Sequence, residues 1–584
     1  MDFDGVLEKV GSFGKAQWIY TFLACSLTIW GSAVTFNPVF TAREPAFTCD
    51  GLENASEVCK LNPPCSQYVY NLTEFSSLVA DLNLVCDRKL YVEYCMSVFF
   101  LGIFVGVLIM GALADRIGRH KVMSAGIVLW IISSFSIAAV QSVWQLLIIR
   151  FLCGFLGGGA GLVSYVLLTE MISSNRREFV GFLFNSTFSI GFAVYGFCAY
   201  LIYDWRLLSV VSISPVLFTL CNIIILPESP RWLATNGKVT QAENILYQIG
   251  KKNGKKIERS LIALKQVTPL TKENKYTYVD LVRTRVMLKR NVIQWINWFT
   301  CSLVYYGLSL SSATLGGSPY VSFALSGLIE IPANLFAYVF MRCFGRKPCM
   351  LVSYFLGGVG CVGLLVIQPN DSNSKTALAR TLLAMIGKFG ISSAFTGIYV
   401  YSVELIPTVV RNSGMGICSM FARIGGIIAP QLDTMGNTPM YVIYGVSCFV
   451  TGFANFFLPE TLNKPLPETI NEIEGVPYKL VAQDSDDEDA QIFSDGTSGD
   501  MDWDIGTGLL EGQATSIDDG RLGENITLHN RRSNSNDLGH MWEIRGEGKT
   551  NGMMNGIEMK SVHVYDYVDD EVEILFQRSN TQND

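Results

Sequence analysis

Twelve apolar segments, each long enough to cross a lipid bilayer as a helix, constrain this chain more than any other feature. A transmembrane helix needs about 20 mainly apolar residues to cross a hydrocarbon core of about 30 Å. Such segments occupy residues 16–39, 91–113, 121–141, 144–168, 179–202, 206–226, 291–311, 319–342, 348–368, 376–401, 412–433 and 437–458. Only 16% of the 584 residues are charged, against about 25% in soluble domains. The sequence therefore predicts an all-α protein with twelve transmembrane helices, which we number as spans 1 to 12.

Basic residues are unevenly distributed between the loops that join these spans. Loop 40–90 contains four lysines and arginines, segment 227–290 contains fourteen, and the short loop 114–121 reads ADRIGRHK. Lysine and arginine accumulate in loops that stay in the cytoplasm. We therefore expect both termini, loop 114–121 and segment 227–290 to be cytoplasmic, and loop 40–90 to face outside. No cleaved signal peptide is predicted, so span 1 is expected to remain as an anchor.

The predicted outer loop carries features of an oxidising, glycosylating compartment. It contains four cysteines, an even number that permits three disulfide connectivities. It also contains two acceptor sequons for N-glycosylation. The cysteines are Cys49, Cys59, Cys65 and Cys86, and the sequon asparagines are Asn54 and Asn71. We expect disulfide bonds and glycosylation here.

The two halves of the chain repeat the same landmarks at a near-constant offset. Gly118-Arg119 recurs as Gly345-Arg346 after 227 residues, and the pair Pro-Glu at 227–228 recurs at 459–460 after 232 residues. Glu170 and Glu404 end spans 4 and 10, 234 residues apart. This repeat predicts two pseudo-symmetric six-helix bundles. We expect the bundles at 1–226 and 291–462, joined by a cytoplasmic loop at 227–290.

Charged residues cluster where the spans leave the predicted cytoplasmic face. Acids and bases that pair in one conformation and separate in another would form a latch for a conformational switch. The alternative is that the arginines only follow the excess of positive charge in cytoplasmic loops. The candidate gating residues are Asp115, Arg116, Arg119, Arg150, Glu170, Glu228, Arg231, Glu404 and Arg411.

Several motifs resemble those of a known carrier family. GALADRIGRHK (111–121) resembles the loop 2–3 signature of the major facilitator superfamily, and RFLCGFLGGGAG (150–161) its span-4 motif. VELIPTVVRNSGMG (403–416) and LIEIPAN (328–334) are similar to signatures of the organic cation, carnitine and organic anion carriers. The resemblance covers about residues 1–475 and is nearest to the carnitine branch at GKFGISSAF (387–395). It implies the major facilitator fold and transport by alternating access.

Three ionisable residues lie near the middle of their spans, where a charge is costly and is a functional candidate. Glu330, Lys388 and Arg423 lie 11 or 12 residues into spans 8, 10 and 11, which corresponds to a depth of about 16–18 Å. Together they leave one surplus positive charge. Arg423 can hold a carboxylate with two parallel hydrogen bonds. Cation-selective members of the resembled family carry an acid at this position, so the arginine argues against a simple organic-cation carrier.

Aromatic residues of span 7 complete the predicted substrate site. Trp298 and Tyr305 are seven residues apart and therefore share one helix face, and an aromatic face attracts a quaternary ammonium by about 0.5–2 kcal/mol per ring. By the resemblance, both match cavity-lining positions, whereas Tyr306 is expected to point elsewhere. Two other interpretations stay open: Glu330, Lys388 and Arg423 could form a purely structural network, and the aromatic rings could face lipid.

The sequence thus predicts a plasma-membrane carrier of small organic ions, most consistent with carnitine-like zwitterions or organic cations. An organic anion exchanger is the first alternative, because it would use the same surplus positive charge. A non-transporting membrane scaffold that acts through the acidic tail is the second. A sugar carrier is disfavoured by the buried lysine and arginine.

Enzymatic, metal and nucleic-acid functions are not predicted. The chain has only four histidines and a formal net charge of −7, so neither a histidine metal site nor nucleic-acid binding is expected. No cofactor is implied, and coupling to sodium or protons stays open.

The C-terminal tail differs from the rest of the chain. Residues 463–584 include the acidic run DSDDED (484–489) and few apolar stretches, a composition typical of disorder. Short tyrosine motifs begin at Tyr478 and Tyr565. We expect a disordered cytoplasmic tail that can bind sorting or scaffold proteins.

Overall fold

The structure is a computed structural model that describes residues 3–49, 58–59, 68–255, 278–314, 318–367, 374–464, 467, 470–474, 541–544 and 562–565. Within them, helices occur at all twelve predicted spans. Their bounds are Lys15–Thr41, Leu90–Ile117, Arg119–Ser136, Val143–Thr169, Ser174–Leu201, Trp205–Ile225 in three pieces, Arg285–Leu310, Pro319–Phe344 in two pieces, Arg346–Val366, Ser374–Leu405, Arg411–Asp433 and Asn437–Asn455. Ten of the spans are long and apolar enough to cross a membrane by length and composition alone. The two that fall short, spans 7 and 12, carry buried amides such as Asn297 and Asn455, which hydrogen-bond to each other at 2.6 and 3.0 Å.

Two spans predicted as single helices are interrupted by proline. Span 6 consists of Trp205–Ile213, a 3-10 segment at Ser214–Thr219, and Leu220–Ile225. Pro215 has no N–H to donate to the carbonyl of Val211, and the hydroxyl of Ser214 donates to that carbonyl instead, at 2.9 Å. Span 8 is divided into Pro319–Leu328 and Glu330–Phe344. Its break lies three to four residues before Pro332, where the proline ring clashes with the preceding turn.

Glycines allow spans 2 and 4 to pack with their backbones in contact. A Cβ atom at Gly154 would lie 2.0 Å from the carbonyl oxygen of Phe99, and one at Gly102 would lie 2.2 Å from that of Phe151. Gly106 is equally close, at 2.1 Å from the carbonyl oxygen of Phe155. Small residues of this kind drive helix association in membranes, where the hydrophobic effect between helices is absent.

The first loop carries a disulfide and a short two-stranded sheet. Phe47–Thr48 pairs antiparallel with Val69–Tyr70, and Cys59 is bonded to Cys86. Cys49 is also part of a disulfide, while Cys65 and the sequon residue Asn54 lie outside the described residues. Asn71 is exposed, so its side chain is accessible for glycosylation. We call the end of the bundle that carries this loop the outer end and the opposite end the inner end, following the predicted orientation.

Short helices pack beneath the first bundle at the inner end. Pro230–Thr235 and Val239–Lys252 follow span 6, and Phe3–Gly11 precedes span 1. Asn253 joins them, because its side chain accepts a hydrogen bond from the N–H of Ala16 at 2.9 Å and donates one to the carbonyl of Val10 at 3.1 Å. The described part of segment 227–290 is therefore mostly helical, and residues 256–277 lie outside the described residues.

The tail separates from the rest of the chain as a unit of its own, residues 481–584. Its described residues form two antiparallel strands, Met541–Ile544 and Val562–Tyr565. The predicted tail, residues 463–584, also includes the described helix Ile470–Glu474, and outside these described elements its disorder stays a prediction. The β-branched and aromatic side chains of the two strands favour this conformation, a local preference that the average polarity of the tail conceals.

Candidate substrate site and gates

The two bundles contact each other at the outer end, between spans 2 and 11 and between spans 5 and 8. The hydroxyl of Ser97 donates to the carbonyl of Ile427 at 2.7 Å and accepts from the amide of Gln431 at 2.9 Å. On the other side, the rings of Phe192 and Phe323 stack with their centroids 4.1 Å apart. These contacts join the two bundles at the outer end.

Two of the three predicted midplane charges pair with each other. The ammonium of Lys388 lies 2.8 Å from a carboxylate oxygen of Glu330, and their side chains are only 1% and 5% exposed. The other carboxylate oxygen accepts a hydrogen bond from Ser189 of span 5 at 2.7 Å. Glu330 is the first residue after the break in span 8. The pair is therefore buried in protein and bridges both bundles.

An aromatic face completes the surroundings of Lys388. Its ammonium lies 3.3 Å from the centroid of the Tyr305 ring and 5.7 Å from that of Phe192. It also donates a hydrogen bond to the hydroxyl of Ser309, one turn further along span 7 than Tyr305. The ring face predicted to hold a substrate ammonium is thus covered by a cation of the protein itself.

Arg423 stays apart from this pair. Its side chain is partly exposed, and its guanidinium lies beside the hydroxyl of Tyr306 and close to Tyr399. Among the described residues, no carboxylate forms an ion pair with it, and its buried Nε atom has no hydrogen-bond partner. The surplus positive charge expected from the sequence is therefore located on Arg423, and a network that pairs all three charges is not formed.

Aromatic rings other than the predicted ones lie near Arg423. The side chain of Tyr399 is 41% exposed. It nevertheless lies close to Tyr306 of the second bundle and Tyr165 of the first bundle. Tyr399 and Phe395 follow Lys388 by 11 and 7 residues, and both spacings return to the same helix face. That spacing is the sequence signal for these rings, which our sequence analysis missed.

The predicted span-7 aromatics are largely buried within the second bundle. Trp298 is 2% exposed, and its indole N–H donates to Ser402 at 2.9 Å. Tyr305 is similarly buried beneath Lys388. Tyr306, expected to point elsewhere, is the one of these three that lies beside Arg423. Trp298 and Tyr305 do share a face, as predicted, and their rings contact Tyr399 and Phe395, with centroids 4.5 and 5.3 Å apart.

The charged landmarks of the repeat meet at the inner end, once in each bundle. Arg119 pairs with Asp115 at 2.9 Å and with Glu170 at 3.2 Å. Arg346 pairs in the equivalent way with Glu404 at 2.8 Å. Each ion pair joins elements of one bundle only, so the pairs hold each half together at the inner end.

A second carboxylate in each half caps the helix that begins at the repeated Gly-Arg motif. Glu228 accepts a hydrogen bond from the N–H of His120 at 2.9 Å, and Glu460 accepts one from the equivalent N–H of Lys347 at 3.0 Å. Burial alone would raise the pKa of Glu460, but the donating backbone N–H groups outweigh it and hold the pKa below its usual range. The carboxylate therefore stays ionised against the positive end of the helix dipole.

The glycine of each motif is required by this cap. Gly118 and Gly345 have φ angles of +114° and +101°, a region that side chains other than glycine rarely adopt. A Cβ atom at Gly118 would also lie 2.4 Å from a carboxylate oxygen of Glu228. The repeated Gly-Arg pair thus combines a turn with space for the capping acid.

The other predicted gating residues have diverse surroundings. Arg116 is exposed, Arg231 is partly buried, and the guanidinium of Arg411 donates to the carbonyl of Ile406 at 3.2 Å. Arg150 is buried inside the first bundle, and it donates to the carbonyl of Val34 at 2.7 Å. That carbonyl lacks its helical donor because Pro38, four residues later, has no N–H. Arg150 therefore completes the hydrogen bonding of span 1.

We expect the ion pair of the second bundle to stabilise the fold. Arg346→Ala should lower the free energy of unfolding by about 1–3 kcal/mol, because it leaves the mostly buried carboxylate of Glu404 without its charged partner. The measurement is the Tm of the detergent-purified protein. Arg116→Ala, which removes an exposed arginine, serves as the control and should leave Tm unchanged. Equal Tm values for Arg346→Ala and the unaltered protein would contradict a stabilising role.

Comparison with known protein families gives a consistent match along the membrane-spanning region. A family profile described as "Sugar (and other) transporter" matches residues 12–473. "Solute carrier family 22 member 15-like" of Xenopus tropicalis is 32% identical over 486 residues, which cover 83% of this chain and 98% of that protein. "Organic cation transporter protein" of Drosophila melanogaster is 31% identical, with 84% and 97% covered. "Organic anion transporter 3" of Oryctolagus cuniculus is 30% identical, with 81% and 94% covered.

Solved structures show the same architecture. The xylose transporter XylE from E. coli, in an inward open conformation, aligns with a TM-score of 0.54 at 18% identity, covering 77% of this chain and 97% of that one. At this identity the likeness concerns the fold alone. The predicted major facilitator fold is thereby confirmed.

Proposed function

This chain belongs to the sugar (and other) transporter family of the major facilitator superfamily, as a relative of its organic cation and organic anion carriers, and we propose that it carries small organic ions with a carboxylate or similar anionic group. The observation that carries the proposal is Arg423, a partly exposed guanidinium without a carboxylate partner among the described residues. A substrate anion would supply the missing charge.

The chemistry of Arg423 suits this role. A guanidinium holds a carboxylate through two parallel hydrogen bonds, and an unpaired charge inside a membrane protein is costly. Binding of an anionic group therefore neutralises the charge of Arg423 and at the same time holds the substrate. Glu330, the carboxylate that would otherwise compensate this charge, is already paired with Lys388.

The aromatic rings near Arg423 support carnitine-like zwitterions as the first substrate candidate. Tyr399 and Tyr306 lie close to Arg423, and aromatic rings attract a quaternary ammonium. A zwitterion with its carboxylate on Arg423 could therefore place its ammonium against these rings. An organic anion with an apolar body is the second candidate, favoured by the surplus positive charge. A cation without an anionic group is disfavoured because it would face Arg423.

Transport follows from alternating access between the bundles. The contacts of Ser97 with Ile427 and Gln431 join the two bundles at the outer end, while the Arg119 and Arg346 ion pairs each stay within one bundle at the inner end. In the transport cycle the outer contacts separate and the inner ends approach. We propose that the carrier lies in the plasma membrane with both termini in the cytoplasm. Coupling to sodium is tested below by measuring uptake with and without sodium.

Uptake by Arg423 variants tests this proposal directly. Arg423→Gln should lower kcat/KM for labelled carnitine at least about tenfold, since a charge-assisted pair contributes more than 1.4 kcal/mol. Arg423→Lys should retain part of the activity, because lysine keeps the positive charge but cannot form the two parallel hydrogen bonds of a guanidinium. Arg88→Gln, which removes an exposed arginine of the first outer loop, is the matched control and should transport normally. Normal uptake by Arg423→Gln would remove Arg423 from the site.

A substrate panel separates the candidates. Carnitine, tetraethylammonium and a sulfated steroid should be tested in one expression system, each with and without sodium. Uptake of carnitine supports the zwitterion carrier, and uptake of the steroid alone supports the anion carrier. Uptake of tetraethylammonium alone would contradict both, and no uptake of any compound would support the scaffold interpretation.

A further inference from the structure

We propose that Tyr305, Ser309 and Glu330 form a binding site for an organic ammonium ion, and that the side chain of Lys388 occupies this site as a tethered ligand. The carrier would then exclude free cationic substrates from it. We call Tyr305, Ser309, Glu330 and Phe192, the groups around the Lys388 ammonium, the cage, and the proposal names them as residues that determine selectivity. Only the exclusion of cationic substrates rests on the proposed function. Binding of an ammonium ion to the site can be measured without transport.

The site contains the groups that an ammonium ion requires. The carboxylate of Glu330 lies 2.8 Å from the Lys388 nitrogen, and the Tyr305 ring centroid lies 3.3 Å from it. The hydroxyl of Ser309 accepts a hydrogen bond from the same nitrogen, and the Phe192 ring lies further out at 5.7 Å. A carboxylate, an aromatic face and a hydroxyl together provide charge, cation–π attraction and hydrogen bonding.

The cage and its occupant come from different helices. Tyr305 and Ser309 belong to span 7, Glu330 to span 8 and Phe192 to span 5, whereas Lys388 enters from span 10. No group of the cage therefore depends on the backbone near Lys388. Truncation of this one side chain should leave the cage in place, with a buried carboxylate that has lost its counter-ion.

The buried carboxylate makes an empty cage unfavourable. Glu330 keeps its hydrogen bond from Ser189 at 2.7 Å, so it stays held at the same position when Lys388 is removed. An uncompensated buried charge is costly. A small ammonium ion that enters the vacated volume would restore the charge balance, and methylammonium and tetramethylammonium are the appropriate sizes for probes.

Thermal stability and uptake test the proposal in Lys388→Ala. Tetramethylammonium chloride or methylammonium chloride should raise the Tm of this variant by about 2 °C or more relative to equal sodium chloride, with no such difference for the unaltered protein. Cells that express Lys388→Ala should take up labelled tetramethylammonium at least about tenfold faster than cells with the unaltered protein, as expected for an ion that gains a buried charge partner. Lys388→Ala/Glu330→Gln should lose both effects.

A second variant keeps the test decisive if Lys388→Ala does not fold alone. Lys388→Gln retains most of the side-chain volume and should show a weaker response to methylammonium. If Lys388→Ala is recovered only when methylammonium is present during purification, that rescue supports the site. Absence of a specific ammonium effect in both single variants, or its persistence after Glu330→Gln, would overturn the proposal. Arg423→Gln tests the proposed function separately, since Arg423 does not contact this cage.

Discussion

Glu330→Ala is expected to destabilise the carrier by about 3–5 kcal/mol, because it leaves the buried ammonium of Lys388 without its carboxylate. Lys388 is 1% exposed, so water cannot take over the lost interaction. The variant also removes the acceptor of the Ser189 hydroxyl, which bridges the two bundles. The expected result is a large fall in Tm and in the yield of monodisperse protein.

Two comparisons show whether burial causes this effect. Glu44→Ala removes the carboxylate of an exposed ion pair, Lys89–Glu44, of nearly the same length at 2.7 Å, and should change stability by less than about 1 kcal/mol. Glu330→Leu/Lys388→Met replaces both charges with apolar groups and should recover most of the lost stability. If Glu330→Ala were as stable as Glu44→Ala, the pair would be hydrated and the buried arrangement incorrect.

That Glu330 and Lys388 lie at one level along their spans was predictable, but that they pair with each other and leave Arg423 apart was not. Residue counts along a helix fix depth through the rise per residue, which placed Glu330, Lys388 and Arg423 at one level. Which of them meet depends on the rotation of each helix in the bundle. That rotation follows from packing such as the glycine contacts of spans 2 and 4, and it is not encoded within any single span.

The same distinction explains the aromatic residues. The spacing of Trp298 and Tyr305 correctly indicates a shared face, yet tertiary packing decides which groups that face meets. The spacing of Tyr399 from Lys388 also indicates a shared face, but sequence reasoning did not use it. That Tyr399 lies near Arg423 and Tyr165 follows from the structure alone.

The positions of the repeated motifs were predictable, but not all the contacts that their side chains make. The offset of the Gly-Arg, Glu and Pro-Glu landmarks predicted equivalent clusters, and the Arg119 and Arg346 pairs occur in both bundles. The capping role of Glu228 and Glu460 was not predicted. Nearly every residue has a backbone N–H, so the sequence does not show which of them a carboxylate will meet. Arg150 is similar, since its acceptor is a carbonyl freed by Pro38 in another span.

Gly154→Leu is expected to abolish folding of the carrier. A Cβ atom at this position would lie 2.0 Å from the carbonyl oxygen of Phe99 and 3.1 Å from the backbone nitrogen of Ile103. Both obstacles belong to the backbone of span 2, so no side-chain rotation can relieve them, and spans 2 and 4 would have to separate. Separation would forfeit the close contact that holds helices together in lipid.

The matched control lies in the same helix. Gly161 also belongs to span 4, and a Cβ atom there would have no heavy atom within 4 Å. Gly161→Leu should therefore fold normally, with a small gain from the better helix propensity of leucine. The measurement is the monodisperse peak of a fluorescent fusion in size-exclusion chromatography. A normal peak for Gly154→Leu would show that spans 2 and 4 are not packed through their glycines. Loss of the peak in Gly154→Leu but not in Gly161→Leu would show that the Gly154 contact, and not the loss of any glycine from span 4, prevents folding.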